Sequence, residues 1–224
     1  LKEYPNSPLR EDIRLQQVVV AQEQGNGALV REAAASYLQE FPKGQGRGQV
    51  ETVLALAALT DKRYAEAIRD FSAALQHVDG EVKQRYVLRN RARAYRALGQ
   101  MELVVQDLRQ VVSIQPTQVS DVIRLGDAMF DQGEYVEAQH LYDQALAIDA
   151  PAALHTWAKY RLAASLEHMG KSEEAAALLA EIQELQTSSP ELEHTIRSAA
   201  TAVLDEMSSK ETPPSRIPDA PIKS

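Results

Sequence analysis

Apolar residues recur along this chain at helical spacing, and the runs break at regular intervals. The clearest stretch is VSDVIRLGDAMFDQGEYVEAQHLYDQALAIDA, residues 119–150. Leu125, Gly126 and Met129 share one face of a first helix; Tyr135, Ala138, Tyr142, Ala145 and Leu146 share one face of a second. Gly133 stands between them, where a glycine tolerates the turn that ends a helix. Small residues at Gly126 and Ala138 let the two helices approach closely, and Tyr142 fills the space beside them.

The breaks are periodic. Gly25, Gly99, Gly133 and Gly170 keep one register, with Lys62 in the same role midway between the first two, at intervals of 37, 37, 34 and 37 residues. A second marker agrees: Pro5, Pro42, Asp79, Pro116, Ala150 and Thr187 are spaced 37, 37, 37, 34 and 37. Two markers in one register predict a repeated helix–turn–helix unit. The copies fall at 11–44, 48–81, 85–118, 119–152 and 156–189, with residues 1–10 as the end of a truncated preceding copy. The second copy carries Leu54, Ala55, Tyr64, Ala67 and Phe71; the third Leu88, Ala92, Tyr95 and Leu108; the fifth Leu162, Ala163, Leu166, Ala175 and Leu179. Residues 190–208 place Leu192, Ile196, Ala199, Ala200, Val203 and Leu204 at helical spacing, as a helix capping the end of a stack. Four prolines in 209–224 predict a disordered tail.

These positions resemble the tetratricopeptide repeat (TPR), a 34-residue helix–turn–helix with small and aromatic residues in this order. The resemblance implies an all-α fold, a right-handed α-solenoid of helix–turn–helix repeats with a C-terminal capping helix, that holds other proteins. The segments EYPNSPLREDI and ASYLQEFPKG are also similar to bacterial envelope TPR proteins. Those include outer-membrane assembly lipoproteins and periplasmic coordinators associated with the Tol–Pal system. That likeness implies a periplasmic or membrane-tethered setting, with a cytoplasmic one as the alternative.

Composition narrows the chemistry. Aromatics are only 5% of the 224 residues, which favours close-packed helices over a sheet core. There is no cysteine, hence no disulfide and no thiolate nucleophile or metal ligand. No apolar run approaches the ~20 residues of a membrane-spanning helix. The chain opens on Leu1 in what reads as the end of a helix, so a fragment or a mature product is expected.

Catalytic signatures are missing. The histidines, His77, His140, His155, His168 and His194, form no HExxH pair or compact cluster and read as surface residues. No GxSxG occurs, and GQGRGQ lacks both the lysine–serine/threonine ending and the preceding strand of a phosphate loop, so it reads as an inter-repeat turn. Acidic clusters such as EDI, DGE and SEEAA fall at helix starts, where they complement the dipole. Neither an enzyme nor a bound cofactor or metal is expected.

One stretch departs from the rest. RYVLRNRARAYRALGQ, residues 85–100, holds five arginines and no acid in a chain of net charge −8. At ~100° per residue, Arg85, Arg89, Arg93 and Arg96 share an arc of about 80°. Leu88, Ala92, Tyr95 and Leu98 lie opposite. Arg91 projects among apolar positions and needs an acid partner or a route to water.

In the TPR family the first helix of each repeat lines a concave groove. The resemblance therefore implies a peptide-binding groove of Tyr86, Arg89, Asn90, Arg93 and Arg96 in the third copy, Arg124 and Phe130 in the fourth, and Trp157, Tyr160 and Arg161 in the fifth. Asp127 and His168 stand at groove positions too. Asn90, Arg124 and Arg161 share the sixth position of their repeats. Three readings compete for the arginines: capture of a protein or peptide, acidic in character; a solvated face paired to neighbouring Asp and Glu; and RNA or DNA binding. The net charge of −8 opposes the last. The leading expectation is a non-catalytic scaffold in a bacterial envelope assembly. The alternative is an accessory arm of a larger enzyme, such as an envelope protease or polysaccharide or peptidoglycan machinery. A homodimer is left open, because ends and convex faces both pair in this family.

Overall fold

A computed structural model describes residues 9–184; the start of the chain, the expected capping helix and the proline-rich tail lie outside the described residues. Ten α-helices and no strand occur among them. They fall into two compact units, one ending at Ile114 and the other beginning at Gln115.

The first unit contains α1 (Arg10–Glu23), α2 (Gly27–Glu40), α3 (Arg47–Thr60), α4 (Tyr64–Ala74), α5 (Glu81–Ala97) and α6 (Met101–Ile114). Each helix packs on the next, and the first members of successive pairs, α1, α3 and α5, also touch in sequence. Its cores are built from small residues around a few rings. Val18, Ala34, Tyr37 and Val50 pack together at one end, and Ala55, Ala67, Phe71, Ala74 and Ala94 follow along the stack. Alanine at these points lets helix axes come close enough for one buried ring, Tyr37 or Phe71, to fill each gap.

The second unit contains α7 (Val119–Asp131), α8 (Tyr135–Ala147), α9 (Ala152–His168) and α10 (Ser172–Glu184). Here α8 packs against both α7 and α9, and α7 also meets α9. Tyr142 is fully buried. A Cβ on Gly126 would lie 2.7 Å from its Cε1, so the close approach read from the sequence is a steric requirement.

The turns within each pair share one device. Gly25, Gly99, Gly133 and Gly170 have φ between 65° and 82°, and Lys62 takes φ 60° at the same place in the period. In four of the five, the next residue's N–H closes the helix end: Arg63 N to Ala58 O, Gln100 N to Tyr95 O, Glu134 N to Met129 O and Lys171 N to Leu166 O, at 2.8–3.0 Å. The carbonyls so satisfied outweigh the ~1–2 kcal/mol that a left-handed lysine costs.

Two helices begin a turn earlier than the copy boundaries suggest. The helix α5 starts at Glu81, directly after Gly80 (φ 86°), and α9 starts at Ala152, after Pro151. Both run 17 residues, against 11–14 for the others. Leu98 falls past the end of α5 and is 45% exposed, not on its buried side. The glycine-rich turn before α3 has a further cause. Tyr37 Oη donates to Glu11 Oε1 at 2.6 Å, the Gly46 N–H donates to the same oxygen at 3.2 Å, and a Cβ on Gly44 would sit 2.5 Å from Tyr37 Oη.

Candidate functional site

The helix α5 divides its arginines by partner. Val87, Leu88, Ala92 and Ala94 are buried, so the opposite side faces water. Val82 (76% exposed) and Tyr86 (44%) stand there with the half-buried Arg89 and the exposed Arg93, Arg96 and Ala97. By helical angle these six span about 100° of the surface. Arg85, at the edge of that arc, is buried.

Arg91 finds the acid partner its position demands. Its Nε and Nη2 donate to the two oxygens of Asp107 on α6 at 2.9 and 2.6 Å, and its Nη1 donates to Ser72 Oγ on α4 at 3.0 Å. Burial alone would lower its pKa, but the hydrogen bonds and charge of Asp107 outweigh burial and raise it. The pair is bidentate and nearly sealed, with Asp107 only 2% exposed at its side chain. Arg91 is thus a brace across three helices.

Asn90 is buried under the exposed strip. Its Nδ2 donates to the Tyr86 carbonyl at 2.8 Å, and its Oδ1 accepts from Arg93 Nη1 at 3.1 Å. The amide therefore orients Arg93 without neutralising it. Among the described residues no carboxylate lies within ion-pair distance of Arg93.

In the second unit the expected groove residues have a different character. Arg161 on α9 is 6% exposed, and its Nε donates to Asp127 Oδ1 on α7 at 2.7 Å. Tyr142 Oη donates to the same oxygen at 2.7 Å and accepts from Arg161 Nε at 3.3 Å. Asp131 adds a second carboxylate 3.8 Å from Arg161 Nη2. The guanidinium carbon lies 4.2 Å from the centroid of the Phe130 ring, which touches Tyr135 and His168 in turn; those two stack at 4.4 Å, 3° from parallel. Burial would discharge Arg161, yet Asp127 more than compensates and its pKa is raised. Burial raises the Tyr142 pKa, and the Asp127 charge raises it further, so the hydroxyl stays a donor.

Tyr160 is 3% exposed and Trp157 half-buried. Arg124 is half-buried, with Nη1 3.3 Å from Oδ1 of the fully buried Asp121. Sequence reasoning placed Asp127 as a groove position and missed it as the acid that claims Arg161. It also missed Val82, which lies in the turn of α5 upstream of the third copy.

The histidines are not uniformly surface groups. His155 is half-buried and bonds through Nε2 to the Ile148 carbonyl at 2.8 Å, while the exposed His77 meets Glu51 at 2.8 Å. His194 lies outside the described residues. No group of three or more potential ligands gathers among the described residues, and no helix there is long and apolar enough to cross a membrane.

Residues 88–118 and, separately, 129–194 match family models described as tetratricopeptide repeat. The chain is 29% identical over 120 residues to the small glutamine-rich tetratricopeptide repeat-containing protein 2 of Mycosarcoma maydis, covering 54% of this chain and 32% of that protein. It thus spans about a third of that relative's length.

Solved structures share the fold. A MamA protein superimposes with TM-score 0.66 at 13% identity, over 82% of this chain and all of that one. MamA from Desulfovibrio magneticus RS-1 gives 0.65 at 13% identity, over 78% and 94%. The C-terminal part of a TPR repeat-containing protein from Cytophaga hutchinsonii gives 0.64 at 14%, over 88% and 73%. Residues 88–118 and 129–194 therefore carry tetratricopeptide repeats, and the helix pairs with left-handed turns around single buried rings build the fold that these solved structures share.

Proposed function

We propose that the chain is a non-catalytic protein-interaction scaffold whose first helices receive a partner segment, acidic where it meets α5. Five repeats at 11–44, 48–81, 85–118, 119–152 and 156–189 are the units of that scaffold. The observation that carries the reading is Arg93: exposed, oriented by a buried neutral amide, and met by no carboxylate among the described residues of a chain with net charge −8. A solvated face that merely balances its own acids would pair this guanidinium, as the chain pairs Arg91 and Arg161. Of the expected groove set, Tyr86, Arg89, Arg93 and Arg96 supply contact surface on α5, and Asn90 orients it. Phe130, Trp157 and Arg124 belong to the second unit's share. Tyr160 and Arg161 support that share from inside.

The experiment is affinity capture with the whole chain, as wild type and as Arg93→Glu, with circular dichroism to show that both fold. The partner that wild type retains is lost from Arg93→Glu. Equal recovery by both would remove α5 from the interaction. The bacterial-envelope setting rests on the pattern around Tyr4–Leu9 and Phe41–Pro42; fractionation of the source cells tests it, and recovery only with cytoplasmic markers would overturn it.

A further inference from the structure

The exposed strip on α5 is not uniform along its length. Its N-terminal end is apolar, with Val82 and Tyr86 one turn apart and 76% and 44% exposed. Its C-terminal end is basic, with Arg93 and Arg96. At 1.5 Å per residue, Arg93 lies ~13.5 Å along the axis from the midpoint of Val82 and Tyr86.

That distance selects a ligand conformation. An extended chain advances ~3.3 Å per residue with a side-chain period of two, so residues four apart share a face ~13 Å apart. A helix needs about nine residues for the same span, and nine residues at 100° put the two side chains on opposite faces. An extended segment can therefore set one side chain on Val82 and Tyr86 and another on Arg93. Asn90, anchored by its bond to the Tyr86 carbonyl, accepts from the Arg93 guanidinium and so sets the direction of the basic end.

Resting on the scaffold reading above, we propose that α5 selects an internal, extended segment in which a large apolar side chain and a carboxylate stand four residues apart. The apolar residue covers Val82 and the Tyr86 ring, removing exposed apolar surface from water. The carboxylate takes two parallel N–H donors of Arg93, since only one of its five is used within the strip. Charge complementarity argues for an acid: Arg93 is exposed and meets no carboxylate among the described residues, and α5 carries no carboxylate after Glu81. One guanidinium meets one side-chain carboxylate, so no free chain end is required.

Fluorescence anisotropy with the whole chain tests this. The probes are labelled decapeptides, blocked at both ends, with Leu and Glu four residues apart in a neutral filler. Compared with them are the same residues three or five apart, the four-apart peptide with Gln for Glu, and one with Lys for Glu. The four-apart Leu–Glu peptide should bind about tenfold or more tightly than the other spacings and the Gln form, a difference of ~1.4 kcal/mol. Val82→Ser and Arg93→Glu should each lose most of that advantage. The Lys peptide should bind Arg93→Glu better than it binds wild type. Both positions are exposed, so neither substitution threatens the fold.

Equal affinity at three, four and five residues would overturn the spacing rule. So would tighter binding of a helical peptide with Leu and Glu seven apart, of a peptide with its C-terminus unblocked, or of a polyuridine oligonucleotide. If acid-dependent binding persists at every spacing and Arg93→Glu abolishes it, this inference falls and the scaffold reading stands. If Arg93→Glu changes neither peptide binding nor partner capture, both fall.

Discussion

Removing Asp127 should cost more than removing the arginine it holds. In Asp127→Ala the Arg161 guanidinium stays buried, its side chain only 7% exposed, with its main acid gone. Breaking a buried pair in this way costs about 3–5 kcal/mol. Two features put this site at the low end, about 3 kcal/mol. Asp127 is 18% exposed at its side chain, and Asp131 stands 3.8 Å from Arg161 Nη2 to take part of the charge. Arg161→Met is milder, because the charge left behind sits on the more exposed partner, 18% against 7%, and Asp127 still accepts from Tyr142 at 2.7 Å. Its cost should be about 1–2 kcal/mol. The double variant removes donor and acceptor together and should lose only about 2 kcal/mol, a coupling of about 2–3 kcal/mol. Urea unfolding followed by circular dichroism and by Trp157, the chain's single tryptophan, measures all four states. Single costs that add to within about 0.5 kcal/mol would mean the two side chains are not coupled. Arg161 would then cease to be an internal brace, and its place as a ligand contact would reopen.

Three further outcomes follow from the packing and the charges. Gly126→Ala should destabilise by about 1–3 kcal/mol, because its methyl group would press on the Tyr142 ring; a thermal melt that leaves Tm unmoved would refute the contact. Lys62→Gly should raise stability by about 0.5 kcal/mol: relief of the left-handed strain slightly exceeds the added freedom of the unfolded chain. A higher urea midpoint at unchanged slope is the expected result. On the acid side, hydrogen bonds from Arg10 and Arg14 hold Glu40 down at about 2, and the bond from Tyr37 lowers Glu11. A carboxylate lowered in the folded state stabilises above its unfolded pKa, ~4.3, and that stability is lost as pH falls toward the folded value. The urea midpoint should therefore drop between about pH 4.5 and pH 2, and Glu40→Gln should flatten that drop.

The repeat was legible because its determinants are local. A left-handed turn residue, a small residue where helices cross and a ring beside it each leave a mark at a fixed interval. Even Lys62 could be placed by the period, though nothing in a lysine suggests φ 60°. The glycine-rich turn before α3 was legible as a turn, but not its cause. That cause is the Tyr37–Glu11 bond, which joins residues 26 apart that no pattern couples. The helices α5 and α9 begin a turn before the copies at 85 and 156, because the period marks equivalent positions and not helix starts.

The arginines show where the period stops informing. Asn90, Arg124 and Arg161 share one repeat position, yet Asn90 is a buried amide that orients a neighbour and Arg161 is a buried brace. The position fixes where a side chain starts, while the nearest acid decides where it ends. Arg161 has Asp127 on the preceding first helix, so its charge turns inward. Arg91 has Asp107 on the following helix and does the same. Arg93 has Asn90, which gives direction without charge, and its guanidinium stays at the surface. Of these three guanidiniums, the one that faces an amide in place of a carboxylate is the one left at the surface. Asn90→Asp should accordingly draw Arg93 into an internal pair and weaken acidic-peptide binding by about tenfold, with all three arginines of the strip still present. Unchanged binding in that variant would mean that the facing residue does not govern where the arginine points.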